Sequence, residues 1–97
     1  MLPQNRIATH PGEVLLHEFL EPNGQSQKGL AEHLSISVQR VNELVRGKRG
    51  VTPDTAWLLA KAFQTSPEFW MNLQVAFDLS ALEPPEDIKP IVARQPN

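Results

Sequence analysis

The chain has 97 residues, of which 40% are hydrophobic and 21% charged, as is typical of a single globular domain. It contains no cysteine, which excludes disulfides, thiolate zinc sites and cysteine nucleophiles, and no stretch approaches the ~20 apolar residues that span a bilayer. The net charge of −2 argues at first sight against binding to nucleic acid. Because residues 1–9 lack the apolar run of a secretory signal, we expect a cytoplasmic protein.

The pattern predicts helices and no strand, because no segment alternates apolar and polar residues for long. A first helix begins near Pro11, a residue that fits a first helical turn, and ends at Pro22-Asn23-Gly24. Ser26 is suited to cap a short second helix. Its apolar positions are Leu30, Ala31 and Leu34.

Residues 34–37 leave room only for a tight turn before a third helix, which Ser37 can cap. The inward positions of the third helix are Val41, Leu44 and Val45. Arg46-Gly47-Lys48 ends it with a base in the last turn and a glycine for the C-terminal cap. Thr52-Pro53-Asp54 and Ser66-Pro67-Glu68 then begin two further helices with a hydroxyl cap, a proline and an acid.

The last two predicted helices are rich in apolar residues. The fourth carries Ala56, Leu59, Ala60 and Phe63, and the fifth carries Phe69, Trp70, Leu73, Ala76 and Phe77. After Leu79 the pattern fades and prolines recur, which indicates an extended or flexible segment. We therefore predict an all-α, compact five-helix domain over residues 10–79, an N-terminal extension over residues 1–9, and a flexible, Pro-rich acidic tail over residues 80–97.

The basic residues gather around the third predicted helix. From Ser26 to Val51 five basic residues face two acidic ones, a net of +3, whereas the rest of the chain has a net of −5. Because the field at a surface is set by charges within a Debye length of ~8–10 Å, this window can attract DNA although the whole chain is acidic. The alternative interpretation is that these basic residues form an ordinary solvated helix face that binds no DNA.

Two short helices joined by a tight turn, with the basic excess in and after the second, form the arrangement of a helix-turn-helix. The run Ser26-Gln27-Lys28-Gly29-Leu30-Ala31, followed by Val41, Leu44 and Arg46-Gly47-Lys48-Arg49, resembles the phage-repressor-type (XRE) family. The flanking motifs HPGE at 10–13, TPDTA at 52–56 and TSPEFWMNLQ at 65–74 are similar to those of HigA (VapI-like) bacterial antitoxins. Ser35 stands at a turn position that often holds glycine in this family.

The resemblance implies a phage-repressor-like fold and a repressor that binds a palindromic operator in double-stranded DNA. It also implies an antitoxin that neutralises a HigB-type messenger-RNA endonuclease toxin and represses its own operon. It implies no cofactor, small-molecule substrate or membrane. Two alternatives stay open: a stand-alone XRE-family regulator without a toxin, and a protein-interaction module that has lost DNA binding.

The candidate DNA contacts lie on the third helix and at its ends. A helix fits the major groove, which is ~12 Å wide, where Gln39 can pair with adenine, Arg40 with guanine and Val38 with a thymine methyl. Glu43 can accept from cytosine or repel phosphate, while Gln27 suits a phosphate contact. The full candidate set is Gln27, Ser37, Val38, Gln39, Arg40, Asn42, Glu43, Arg46, Lys48 and Arg49, the last two more suited to the DNA backbone.

The fourth and fifth helices carry more apolar residues than one core-facing stripe requires, which predicts an interface. We expect a homodimer built mainly on the last helix, so that two recognition helices read half-sites ~34 Å apart. The predicted interface residues are Phe69, Trp70, Leu73 and Phe77, although Trp57 and Trp70 would by default belong to the core.

The chain shows no pattern of an enzyme or a metal site. His10, His17 and His33 are too scattered for metal ligands, and we expect a helix-start residue at His10 and surface side chains at the other two. The N-terminal segment and the acidic tail, with Glu83, Glu86 and Asp87, are the candidate toxin contacts, since toxins that bind RNA are often basic.

Overall fold

The computed structural model describes residues 7–92, in which five helices and no strand are present. Helix α1 starts as an α-helix over Pro11–Val14 and continues with π-helical hydrogen bonding over Leu15–Leu20. The other helices are α2 (Gln27–Leu34), α3 (Val38–Val45), α4 (Pro53–Phe63) and α5 (Pro67–Ser80). The predicted all-α, five-helix fold is confirmed. Residues 1–6 of the predicted extension and 93–97 of the predicted tail lie outside the described residues.

Side-chain caps fix where most of the helices begin. The Nδ1 atom of His10 accepts from the Gly12 N–H at 2.8 Å, which confirms the predicted helix-start role of this histidine. The hydroxyls of Ser26, Ser37 and Ser66 accept from the backbone N–H three residues later, at 2.9, 3.0 and 3.1 Å. The predicted hydroxyl cap at Thr52 is wrong, because the Thr52 hydroxyl donates to the Asp54 carboxylate instead of receiving a backbone N–H.

The tight turn between α2 and α3 is present as predicted. Ser35 has φ 59° and ψ 41°, the left-handed conformation that glycine adopts without a steric cost. The Ile36 N–H donates to the Ala31 carbonyl at 3.0 Å and closes the end of α2. Two short helices are thereby packed directly against each other.

The core lies between α2, α3 and α4 and is closed by Leu15 of α1 and Trp70 of α5, both without exposed surface. The predicted inward positions that are buried include Leu30, Ala31, Val41, Leu44 and Leu59. Trp57 is 56% exposed, so the default assignment of this tryptophan to the core is wrong. The buried stripe of α4 runs through Ala56 and Ala60, which turns position 57 to solvent.

Two close contacts hold the end of α3 in place. A Cβ atom on Gly12 would lie 1.8 Å from the Leu44 carbonyl oxygen, so the start of α1 touches the backbone of α3 directly. The buried Gln74 of α5 accepts from the Val51 N–H at 2.6 Å and fixes the loop that follows α3.

None of the helices described over residues 7–92 is long and apolar enough to cross a membrane.

Candidate nucleic-acid interface

Helix α3 buries one side and presents the other to solvent. Val41 and Leu44 are only 2% and 4% exposed and face the core. The exposed or partly exposed positions are Ser37, Val38, Gln39, Asn42, Glu43 and Arg46. Because α2 and Gly12 support α3 from behind, its outer side is a rigid helical surface of the size that the major groove admits. We call this outer side the α3 face.

A carboxylate stands in the middle of the α3 face. Glu43 accepts from Gln39 Nε2 at 3.1 Å and from Arg49 Nη2 and Nε at 2.9 and 3.1 Å. The hydrogen bond from Arg49, and next that from Gln39, hold the pKa of Glu43 below its usual range. Glu43 is therefore ionised at neutral pH and orients two side chains that the sequence predicts to contact DNA.

A second hydrogen bond joins the start of α2 to the α3 face. Asn42 Nδ2 donates to Gln27 Oε1 at 3.2 Å. Gln27 is the first residue of α2, immediately after the Ser26 cap. Since phosphate oxygens only accept hydrogen bonds, the NH₂ group of Gln27 is the part of this amide that suits a DNA backbone contact.

Arg40 points away from the α3 face and toward the start of α4. Its Nη2 atom donates to Asp54 Oδ2 at 2.9 Å and to Thr55 Oγ1 at 2.6 Å, and its side chain is only 25% exposed. Hydrogen bonds from Thr52 and then from Arg40 lower the pKa of Asp54. The sequence predicts a two-pronged contact between Arg40 and guanine, but in this conformation the Nη2 atom of the guanidinium is bonded to the first turn of α4.

The loop after α3 carries the remaining candidate contacts. Gly47 has φ 75°, a left-handed conformation that reverses the chain here as the sequence predicts. Lys48 and Arg49 are exposed, and the Lys48 N–H donates to the Glu43 carbonyl at 2.8 Å. The bonds between Arg49 and Glu43 place at least one cation of this loop directly beside the α3 face.

The predicted interface residues of α5 differ in how far they are exposed. Trp70 has no exposed surface and donates from Nε1 to Thr65 at 2.8 Å, so it belongs to the core and not to an interface. Phe69 is 37% exposed, Leu73 packs partly on the core, and Phe77 meets the His10 ring edge-on at 4.8 Å.

Sequence reasoning missed the most exposed apolar residues of α5. Val75 is 50% exposed and Leu79 is 72% exposed, and they lie about one helical turn apart. The signal in the sequence that could have identified them is their separation by four residues, which places both on the side of α5 opposite the buried Trp70 and Gln74. We call Val75 and Leu79 the α5 patch. Phe69 lies on another side of α5, where its ring contacts Phe19 and Trp70.

The structure places each of the three histidines in a different setting, with His10 buried at the start of α1. His17 lies on the surface 3.0 Å from Glu21, and His33 is exposed, both as predicted. Within residues 7–92 there is no group of three or more His, Asp or Glu side chains placed to hold a metal ion.

A family profile described as Helix-turn-helix matches residues 16–70 of this chain, more than half of its length. The matched range contains α2, the turn and α3, and it ends at the buried Trp70.

Proteins similar to this chain include virulence-associated proteins and HigA antitoxins of bacteria. Virulence-associated protein I of Dichelobacter nodosus is 46% identical over 76 residues, covering 78% of this chain and 70% of that protein. Antitoxin HigA-1 of Vibrio cholerae is 46% identical over 69 residues, covering 70% of this chain and 64% of that protein. The solved structure of Pseudomonas aeruginosa antitoxin HigA with the higBA promoter is similar with a TM-score of 0.79 at 38% identity, covering 87% of this chain and 98% of that one.

Proposed function

This chain belongs to the helix-turn-helix family, and from that premise we propose that it is a sequence-specific DNA-binding repressor and an antitoxin of the HigA type. The observation that carries the DNA-binding half is the α3 face, a solvent-exposed helix side that is rigidly backed and bordered by the cationic loop. The relative with the promoter in its structure supports the same conclusion.

In this mechanism the α3 face enters the major groove and α2 crosses the DNA backbone. Gln39 pairs with adenine, Val38 contacts a thymine methyl, and Glu43 accepts from cytosine or excludes other bases. Arg46 and Asn42 contact neighbouring base edges or sugar-phosphate. Gln27, Lys48 and Arg49 contribute phosphate contacts, which position the protein without reading sequence.

We further propose a homodimer that reads a palindrome. One α3 face covers about half of an operator, whereas two faces related by a two-fold axis cover half-sites ~34 Å apart. The α5 patch supports this assembly, because exposed apolar side chains on one helix side are typical of an interface.

The antitoxin half rests on the name of a relative and on the tail. Residues 81–92 are exposed and contain no helix, and the tail carries Glu83, Glu86 and Asp87. An exposed acidic segment suits a basic toxin of the HigB type, an RNA-cleaving enzyme, through charge complementarity. The repressor and its toxin would act together in the bacterial cytoplasm.

Selection of bound DNA from a random pool tests the DNA-binding half. The wild type should prefer one palindrome over bulk DNA by ~10³-fold or more, and its affinity should fall steeply with salt. Gln39→Ala should weaken the selected site by about tenfold to a hundredfold while random DNA changes little. Lys48→Ala is the matched control: it should weaken both DNAs alike and flatten the salt slope by about one unit. Binding without any sequence preference would contradict the proposal.

Co-expression with the product of the adjacent gene tests the antitoxin half. Growth should depend on this chain, and the two proteins should co-purify. Reversing Glu83, Glu86 and Asp87 to Lys should weaken the complex by about tenfold or more, whereas Lys89→Glu in the same tail should not weaken it. Full DNA binding with no toxin partner would instead identify a stand-alone regulator.

A further inference from the structure

We propose that Arg40 is a positioning residue that sets the angle of α3 against α4, and not a residue that reads a base. This inference rests on the proposed DNA-binding function and adds to it a determinant of specificity that lies off the α3 face. The juxtaposition behind it is one guanidinium held by two acceptors, Asp54 and Thr55, in the first turn of the next helix.

The backbone packing of α3 leaves this side of the helix to be fixed by side chains. α3 packs closely on α2 and touches α1 through Gly12, while α4 packs mainly on α5. The Arg40 bonds to Asp54 and Thr55 at 2.9 and 2.6 Å therefore form the direct polar link from α3 to α4. Loss of that link would remove the polar constraint on the angle between α3 and α4 while the apolar packing of α3 remains. Even a small change of that angle moves every side chain of the α3 face in the groove.

The surroundings of Arg40 favour a fixed conformation. Its side chain lines a small cavity together with the hydrophobic residues Leu34, Ile36 and Leu59. Its Nε atom is buried and has no hydrogen-bond partner among residues 7–92. The other end of the guanidinium is bonded, since Nη2 donates to both Asp54 and Thr55 while only 25% of the side chain is exposed.

The acceptors are themselves held by α4. Thr52, at the N-cap, donates to Asp54 and also lies 3.3 Å from the Thr55 hydroxyl. Thr55 is 4% exposed and belongs to the first turn of α4. The polar cluster is thus anchored at a helix start that cannot move without moving α4.

The test uses the full chain and measures affinity for the selected operator and for random DNA. Arg40→Ala, Asp54→Asn and the uncharged change Thr55→Val should each reduce the operator-to-random affinity ratio by about tenfold, with several base positions relaxed together. Arg40→Ala combined with Asp54→Asn should be no worse than Arg40→Ala alone, because Arg40→Ala already removes the contact that Asp54→Asn weakens. Dividing the operator affinity of each variant by its affinity for random DNA removes the nonspecific effect of the changed net charge, because that effect acts on both DNAs alike. Glu68→Gln is the control, since Glu68 occupies the equivalent place in α5; its ratio should not change.

Three results would overturn the inference. Relaxation at a single base position in Arg40→Ala, with Asp54→Asn unchanged, would identify Arg40 as a base reader. Equal losses on operator and random DNA, matched by a lower unfolding temperature, would identify a role in folding only. Strictly additive losses would show that Arg40 and Asp54 act separately. Failure of the wild type to prefer any DNA would instead reject the proposed function itself.

Discussion

At the scale of single residues, His10 shows how burial sets the protonation state of a cap. Its Nδ1 atom accepts the Gly12 N–H, so this ring nitrogen must carry no proton in the folded state. The ring also packs edge-on against Phe77. Burial lowers the pKa of His10 below its ordinary value of 6.5, although the charges of Asp78 and Glu13 oppose the shift.

This shift predicts a stability that depends on pH. Because the folded pKa of His10 lies below the unfolded one, the unfolded chain binds more protons as the pH falls. The contribution is complete above the ordinary value of 6.5 and is lost as the pH falls below it toward the folded pKa. We expect the unfolding temperature to decrease between about pH 7.5 and about pH 5.5. His10→Asn, which can still cap α1 but does not titrate, should remove much of that decrease; an equal decrease in both proteins would contradict this assignment.

At the scale of the elements, two helices end in a left-handed residue that is not glycine. Ser35 after α2 has φ 59°, and Gln64 after α4 has φ 58°. A Cβ atom in this conformation costs about 1 kcal/mol relative to glycine. Both residues stand where one helix ends and the turn to the next begins, and this left-handed conformation ends the helix there.

Glycine at these two positions should stabilise the fold. We expect Ser35→Gly to raise the free energy of unfolding by about 0.5 kcal/mol, since relief of the steric strain exceeds the extra freedom of the unfolded chain. Gln64→Gly is the matched variant and should give a similar gain. Urea unfolding measures both. A loss of stability in Ser35→Gly would show that its side chain, and not the backbone angle, determines the turn.

At the scale of the whole molecule, the α5 patch is the surface that a second copy would cover. We expect Leu79→Glu to shift the protein to monomer in sedimentation at micromolar concentration, because it places a charge in an apolar interface. The change should leave the fold intact, since Leu79 is 72% exposed. Operator affinity should fall as well, because a monomer binds one half-site with a single α3 face, whereas a dimer binds two half-sites with two linked faces.

Trp57→Glu is the control for this experiment. Trp57 is a large apolar residue of similar exposure, 56%, but it lies on α4 beside Pro53, Pro67 and Met71. A protein that stays dimeric with Leu79→Glu and dissociates with Trp57→Glu would place the interface on α4.

Much of the architecture follows from the sequence because its signals are local. Ser26, Ser37 and Ser66 act through hydrogen bonds three residues away, and a proline or glycine acts on its own backbone angles. The spacing of Val41 and Leu44 likewise identifies the buried side of α3 from within one helix. The five helices, the tight turn and the outward side of α3 are thus determined by the sequence alone.

Only the tertiary structure decides which partners meet across helices. Arg40 lies 14 residues from Asp54 along the chain, and no pattern within either helix shows that they pair. Trp70 is buried and Trp57 is 56% exposed although both are large apolar residues near the start of a helix, because burial depends on which side of each helix its neighbours cover. Composition and local spacing fix the elements, whereas the placement of a charged or aromatic side chain depends on distances that exist only once those elements have packed.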